Sequence, residues 1–209
     1  MKLKAISTGY TIAAAVFGVL FSAQVALAGD PPATAAVRKA NTEMTTLLTQ
    51  KVAAGSAAEK ALATKVTAAV RALIDVDELG KAALVNHWSK ISAAEQTEYL
   101  SLLRTVIEGE YIKGLRANVA YTVSFKGEAA QGADTVVQTE IAATRKGRPF
   151  KISVDYVVRK VGGSLRAYDI KTDGVSLVDN YRAQFDKLMA KGGISNLLSK
   201  MRKKAGTAT

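Results

Sequence analysis

The apolar residues of this 209-residue chain change their period twice, and that double change sets the order in which any fold must be built. Up to about residue 117 they recur at helical spacing. Val37, Met44, Leu47 and Leu48 predict a first helix ending near Gly55. Leu62, Val66, Ala69, Val70 and Leu73 predict a second, and Leu79, Ala83 and Trp88 a third. Tyr99, Leu103, Val106, Ile107, Tyr111 and Leu115 predict a long fourth. Ser56-Ala-Ala-Glu59 and Ser92-Ala-Ala-Glu95 are capping boxes ahead of the second and fourth helices, and Asp77 is expected to cap the third. From Val119 the period drops to two, in Val119/Tyr121/Val123/Phe125, Val137/Thr139/Ile141/Ala143, Ile152/Val154/Tyr156/Val158 and the run from Ser164 to Lys171. Turn-like separators of hairpin length lie between these runs, so four strands form an antiparallel meander.

The second change falls across Gly174, where the alternating Tyr168-Asp169-Ile170-Lys171 gives way to Leu177, Val178, Tyr181, Phe185 and Leu188 at helical spacing. A helix is expected from Val175 to about Lys191, stopped by Gly192-Gly193, and a last one from about Ser195 to Lys203. Helices before and after an antiparallel sheet make an α+β fold, with the helices packed over one sheet face. The inward faces of the strands either fill with side chains or leave an apolar hollow under the helices, and the pattern alone does not separate the two.

The ends bound the compartment. Lys2 and Lys4, the apolar run from Ile12 to Leu20 and the small-x-small site Ala26-Leu27-Ala28 read as a cleavable export signal over residues 1–28. Residues 29–35 are expected as a flexible leader, 36–204 as a single domain and 205–209 as a disordered tail. The chain has no cysteine, so no disulfide framework holds it and the fold rests on its hydrophobic core. The formal charge is +11, from 29 Lys and Arg against 18 Asp and Glu, and loss of Lys2 and Lys4 leaves +9. A basic surface suits anionic partners such as lipid head groups and serves solubility equally well. Nucleic acid is disfavoured by export and by the lack of a basic-aromatic motif.

Residues for catalysis are scarce. His87 is the sole histidine, which leaves no zinc or copper set, and its place just ahead of Ser92 reads as a helix C-terminus. No G-x-S-x-G elbow exists, and Ser176 at the start of a helix reads as a cap. Asp75-Val76-Asp77-Glu78 reads as helix-start chemistry rather than a metal loop. Asp155 and Asp169 fall on adjacent strands, where Arg159, Arg166 and Arg182 are the simplest partners. No enzyme emerges. The terminal Lys200-Met201-Arg202-Lys203-Lys204, with Ile194, Leu197, Leu198 and Met201 on one side, suits either a solvated helix end or transient contact with an anionic membrane.

Three segments together resemble the MlaC family, also called the toluene-tolerance auxiliary family. They are His87-Trp88-Ser89-Lys90 with Ser92 to Gln96 and Tyr111, Arg148-Pro149 to Lys160 with Asp155-Tyr156 inside, and Tyr168 to Phe185 extended by Lys191-Gly192-Gly193-Ile194. The likeness runs from roughly residue 36 to 204. Ser164-Leu165-Arg166-Ala167 departs from it, since the family usually has an aromatic residue there. The resemblance implies a periplasmic carrier whose curved sheet and helices enclose the acyl chains of one phospholipid, with no cofactor and no metal. It also implies two partners, an inner-membrane ABC transporter with an MCE subunit and an outer-membrane lipoprotein-porin complex. Carriage of a hopanoid or other isoprenoid lipid, and a periplasmic adaptor that binds no lipid, are the rival readings. By face and motif, the residues expected to line cavity or core are Trp88, Leu103, Ile107, Tyr111, Val154, Tyr156, Val158, Val175, Tyr181 and Phe185.

Overall fold

The computed structural model describes residues 29–117, 121–145 and 148–206, with side chains undescribed at 113–117 and 145. The expected signal and Val119 lie outside these residues. Helices α1 (Pro32–Leu48), α2 (Ala57–Leu73), α3 (Val76–Ala83) and α4 (Ala93–Ala117) come first, with a 3-10 turn (Trp88–Lys90) ahead of α4. Strands β1 (Tyr121–Gln131), β2 (Asp134–Arg145), β3 (Arg148–Val161), β4 (Ser164–Thr172) and β5 (Val175–Ser176) follow, and α5 (Leu177–Ala205) ends the chain. The sheet is an open antiparallel meander in the order β1-β2-β3-β4-β5. It has five strands rather than the expected four, because β5 is a two-residue strand too short to show a period.

Most helix starts follow local chemistry. Ser56 accepts from the Glu59 amide at 3.1 Å, and the Glu59 carboxylate accepts from the Gly55 amide at 2.7 Å. Ser92 and Glu95 form the reciprocal box, with amide bonds of 3.3 and 2.8 Å. The cap of α3 is Asp75, not Asp77: its Oδ1 accepts from the Glu78 amide at 3.0 Å. Ile74 is held extended by a bridge to Ala167, so the chain can turn helical only from Val76. Asp77 instead takes Arg104 as a partner. At the chain's start the leader is shorter than expected, since α1 begins at Pro32, and Ala33 and Thr34 are already buried. Proline suits that position because its missing amide would have had no helical partner.

The last helix is continuous from Leu177 to Ala205 except at Gly192 and Gly193, whose non-helical torsions kink it near the expected break. Asn196 donates to the Leu188 carbonyl at 2.9 Å and satisfies an acceptor freed by the kink. The helix continues to Ala205, where a disordered tail was expected; residues 207–209 lie outside those described.

Helices cover one face of the sheet. α1 lies against β1, β2 and β4, while α2, α3 and α5 each touch β4. Val137, Thr139, Val154, Tyr156, Val158 and Ala167 are the buried sheet residues under them. Thr139 is tolerated there because its hydroxyl donates to the Val154 carbonyl at 2.6 Å. Bulges after Phe125 and at Val157/Val158 bend the sheet around the helices. Behind α4 the aromatic rings of Trp88, Tyr99, Tyr181 and Phe185 join the helices together. Tyr99 meets Phe185 edge-on at 5.6 Å and Trp88 at 6.3 Å, and Tyr181 stacks on Phe185 at 5.3 Å. Gly80 lets α3 approach this cluster, since a Cβ there would lie 2.6 Å from Leu100 Cδ2.

Candidate functional site

Between the second half of α1 and the sheet the two layers part. The first half of α1 is packed into the core, with Ala33 and Val37 buried. Past Asn41 it stands off, leaving a hollow of about 360 Å³. Met44 and Leu48 of α1, Leu73 of α2 and Tyr111 of α4 form the roof. The floor is Tyr121, Ile141, Ala143, Phe150, Ile152, Val154, Tyr156, Ile170 and Thr172 from four strands. Among the described residues no charged side chain lines it.

Three polar side chains in its wall, Asn41, Tyr156 and Tyr121, are engaged by the protein itself. The Tyr156 hydroxyl donates to Asn41 Oδ1 at 3.2 Å, and Asn41 Nδ2 donates to the Val37 carbonyl at 3.1 Å. The Thr45 hydroxyl donates to Tyr121 Oη at 3.2 Å. Burial raises the pKa of Tyr111, and the nearby Tyr156 and Tyr121 hydroxyls add to the rise. Tyr156 is likewise raised by burial, partly offset by its bond to Asn41. These phenols stay neutral, so the hollow offers a visitor apolar surface and almost nothing else. Across a wall shared by Tyr121, Ala143 and Phe150 it adjoins a second depression of about 330 Å³ at the β2–β3 end of the sheet.

The ten residues singled out from the sequence divide among four environments. Tyr111, Val154 and Tyr156 line the hollow. Leu103, Ile107 and Val158 are buried in the close-packed core. Trp88, Tyr181 and Phe185 belong to the aromatic cluster at α4 and α5. Val175 is 64% exposed on β5 and lines no hollow, because the residue before the helix belongs to the edge strand. Most of the hollow came from residues not singled out, above all Met44, Leu48, Ile141 and Ile170. Tyr121 and Ile152 did stand on the predicted inward faces, and that alternation was the available signal.

A larger groove of about 610 Å³ lies elsewhere, between α3, the 3-10 turn, β3, β4 and the start of α5. Its walls are charged and mutually paired, with Arg159 on Asp134 at 2.7 Å, Lys81 on Glu78 at 3.0 Å and Arg182 on Asp179 at 2.8 Å. Ala82, Val85, Trp88, Val157 and Val178 also stand in its wall, but charged side chains interrupt them, as none among the described residues do in the smaller hollow. The residues most tempting as catalysts are structural. Asp169 accepts from Ser176 Oγ at 2.7 Å and from the Ile170 and Val178 amides at 2.9 and 3.0 Å, rather than from an arginine. His87 lies in the turn after α3 and bonds Asp186 at 2.8 Å, not Ser176. The apolar side of the terminal basic helix is packed inside, with Leu197, Leu198 and Met201 buried. Among the described residues no helix is long and apolar enough to cross a membrane.

No curated protein matches the chain. Among solved structures, the phospholipid-binding protein of Ralstonia solanacearum, determined in complex with a phospholipid, has a similar fold. The TM-score is 0.65 at 24% identity, over 86% of this chain and 99% of that one. The sequence profile of the MlaC protein family matches residues 38–203, which is most of the chain. This chain therefore belongs to the MlaC family.

Proposed function

We propose that this protein is a carrier that buries the acyl chains of a phospholipid in the hollow between α1, α4 and the sheet, leaving the head group outside. The observation that carries the reading is a hollow whose described lining holds no charged side chain and whose Asn41, Tyr156 and Tyr121 side chains are already hydrogen-bonded within the protein. Water gains little there and hydrocarbon gains much: each buried methylene contributes about 0.8 kcal/mol. At roughly 30 Å³ per methylene, about the share of a water molecule in the liquid, the hollow holds about a dozen. That is fewer than two full acyl chains contain, so the hollow as it stands takes only part of their length. The phospholipid bound by the Ralstonia solanacearum protein supports the same ligand class. Family membership supports a finer reading, in which the mature chain works in the periplasm and moves lipid between inner and outer membranes. Its partners there would be an MCE-type ABC transporter and an outer-membrane lipoprotein-porin complex.

Organic extraction of the purified protein followed by lipid mass spectrometry tests the central claim. About one phospholipid per chain is expected. A polycyclic lipid would replace the ligand class, and an empty extract would sink the carrier reading. Ile141→Glu and Val154→Glu should each remove the lipid while circular dichroism stays native, since they place a charge in the hollow's floor. Retention of lipid by both well-folded variants would move the site elsewhere.

A further inference from the structure

We propose that the β2–β3 end of the sheet is the face by which this protein docks on an anionic lipid bilayer, with Phe150 as the side chain that enters it. The inference rests on the acyl-chain reading of the hollow. Phe150 is 39% exposed and is the one exposed aromatic among the described large hydrophobic residues. It is also part of the wall common to the hollow and the outer depression. A partly exposed ring, with Tyr121 and Ala143, therefore links the outer depression to the hollow.

The charge around it is in positive excess. The outer depression is walled by Tyr121, Thr122, Ala142, Ala143, Thr144, Pro149 and Phe150, with Lys151 as its sole charged residue among those described. Arg148 is exposed two residues away, and the Lys151 side chain is 67% exposed. The acid that these strands bring to it, Glu140, is shared between Lys151 at 3.0 Å and Lys126 at 3.4 Å, so the cations outnumber it. An exposed aromatic flanked by excess cations matches a bilayer surface, where the ring enters the acyl boundary and the cations meet phosphates. The position also serves transfer. Each methylene passed through water costs about fourfold in partition, and a chain leaving the bilayer beside Phe150 meets apolar wall directly. The terminal basic helix lacks this combination because its apolar residues are buried.

The chain contains no cysteine, so a single one can be introduced and labelled cleanly. An environment-sensitive fluorophore on Phe150→Cys should shift to the blue with vesicles of equimolar phosphatidylglycerol and phosphatidylethanolamine. It should not shift with phosphatidylcholine, nor should the same label on Ser199→Cys of α5 respond to either. Reversing Arg148 and Lys151 together, each to Glu, should weaken vesicle binding by about 25-fold or more, at about fivefold per cation lost. A label at 150 that stays in water, a response at 199 instead, or binding indifferent to the reversal would overturn the proposal. So would binding that appears only when native membrane proteins are reconstituted in the vesicles. Protein that carries extractable phospholipid yet ignores the vesicles defeats the docking face and leaves the hollow's reading intact. Empty protein that binds them does the reverse.

Discussion

Asp169 directs both carboxylate oxygens to groups near it in the chain, and this ties the end of β4 to the start of α5. Its Oδ2 receives the Ser176 hydroxyl, while Oδ1 receives the Ile170 and Val178 amides, and Ser176 in turn accepts from the Asp179 amide at 3.0 Å. Asp169 is buried, so removing it strands amide donors out of water. Asp169→Ala should lower stability by about 2–4 kcal/mol in urea unfolding, and Asp169→Asn by less, because the amide oxygen can still accept. Unchanged stability in Asp169→Ala would show that the corner is held by something else. Ser176 was legible as a cap because capping is a contact over three residues. The partner of Asp169 was not, since Ser176 reaches it only after the chain reverses through β5. Arginines on β3 and α5 were the simpler expectation, and they found other acids, Asp134 for Arg159 and Asp179 for Arg182.

Among the elements, the β4–β5 hairpin shows how little sequence a reversal needs. Lys171 pairs with Ser176 and Thr172 with Val175, leaving Asp173 and Gly174 as a two-residue loop with φ of 48° and 80°. Both angles are positive, as a type I′ turn requires. Asp173 anchors the loop by accepting from the Ser153 amide at 2.9 Å and donating its own amide to the Ser153 carbonyl at 3.0 Å. A side chain at Gly174 would pay the left-handed penalty of about 1–2 kcal/mol. Gly174→Val should therefore lower the melting temperature by roughly 2–8 °C in a chain of this size. A melting curve identical to wild type would mean that the turn relaxes into another type. The Asp-Gly signal located this turn, while the strand after it was missed because two residues display no alternation. Asp75 escaped for a related reason, as its role depends on the Ile74 bridge to a strand nearly a hundred residues away.

For the whole molecule, ionisation sets both ends of the stability range. Arg159 beside Asp134, helped by the Tyr168 hydroxyl at 2.8 Å, holds that carboxyl below its ordinary value. Lys151 and Lys126 act likewise on Glu140. A depressed pKa contributes stability that is present above the ordinary carboxylate range near ~4 and is lost as pH falls through the depressed value. At the other end, burial raises Tyr99, Tyr111 and Tyr156, so their neutral form belongs to the fold. Their contribution is intact below about pH 10, the value of a free tyrosine, and fades as pH rises above it. Urea midpoints across the pH range should show a plateau with both limbs, and Asp134→Asn should flatten the acid limb while lowering the plateau. An acid limb unaltered in that variant would assign the loss to other carboxylates.

The order and kind of the elements, the two-residue β5 excepted, were determined by the sequence alone, because periodicity, capping boxes and an Asp-Gly turn act within a few residues. The hollow was decided by tertiary structure. Ile107 and Tyr111 lie one helical turn apart on one face of α4, yet the first is core and the second lines the hollow. Val158 and Val154 share one face of β3 and divide in the same way. What separates each pair is the distance to the layer opposite, where α1 packs closely at Val37 and stands away at Met44 and Leu48. That distance depends on how α1, α2 and α4 pack on a bent sheet, and no spacing within a single segment encodes it.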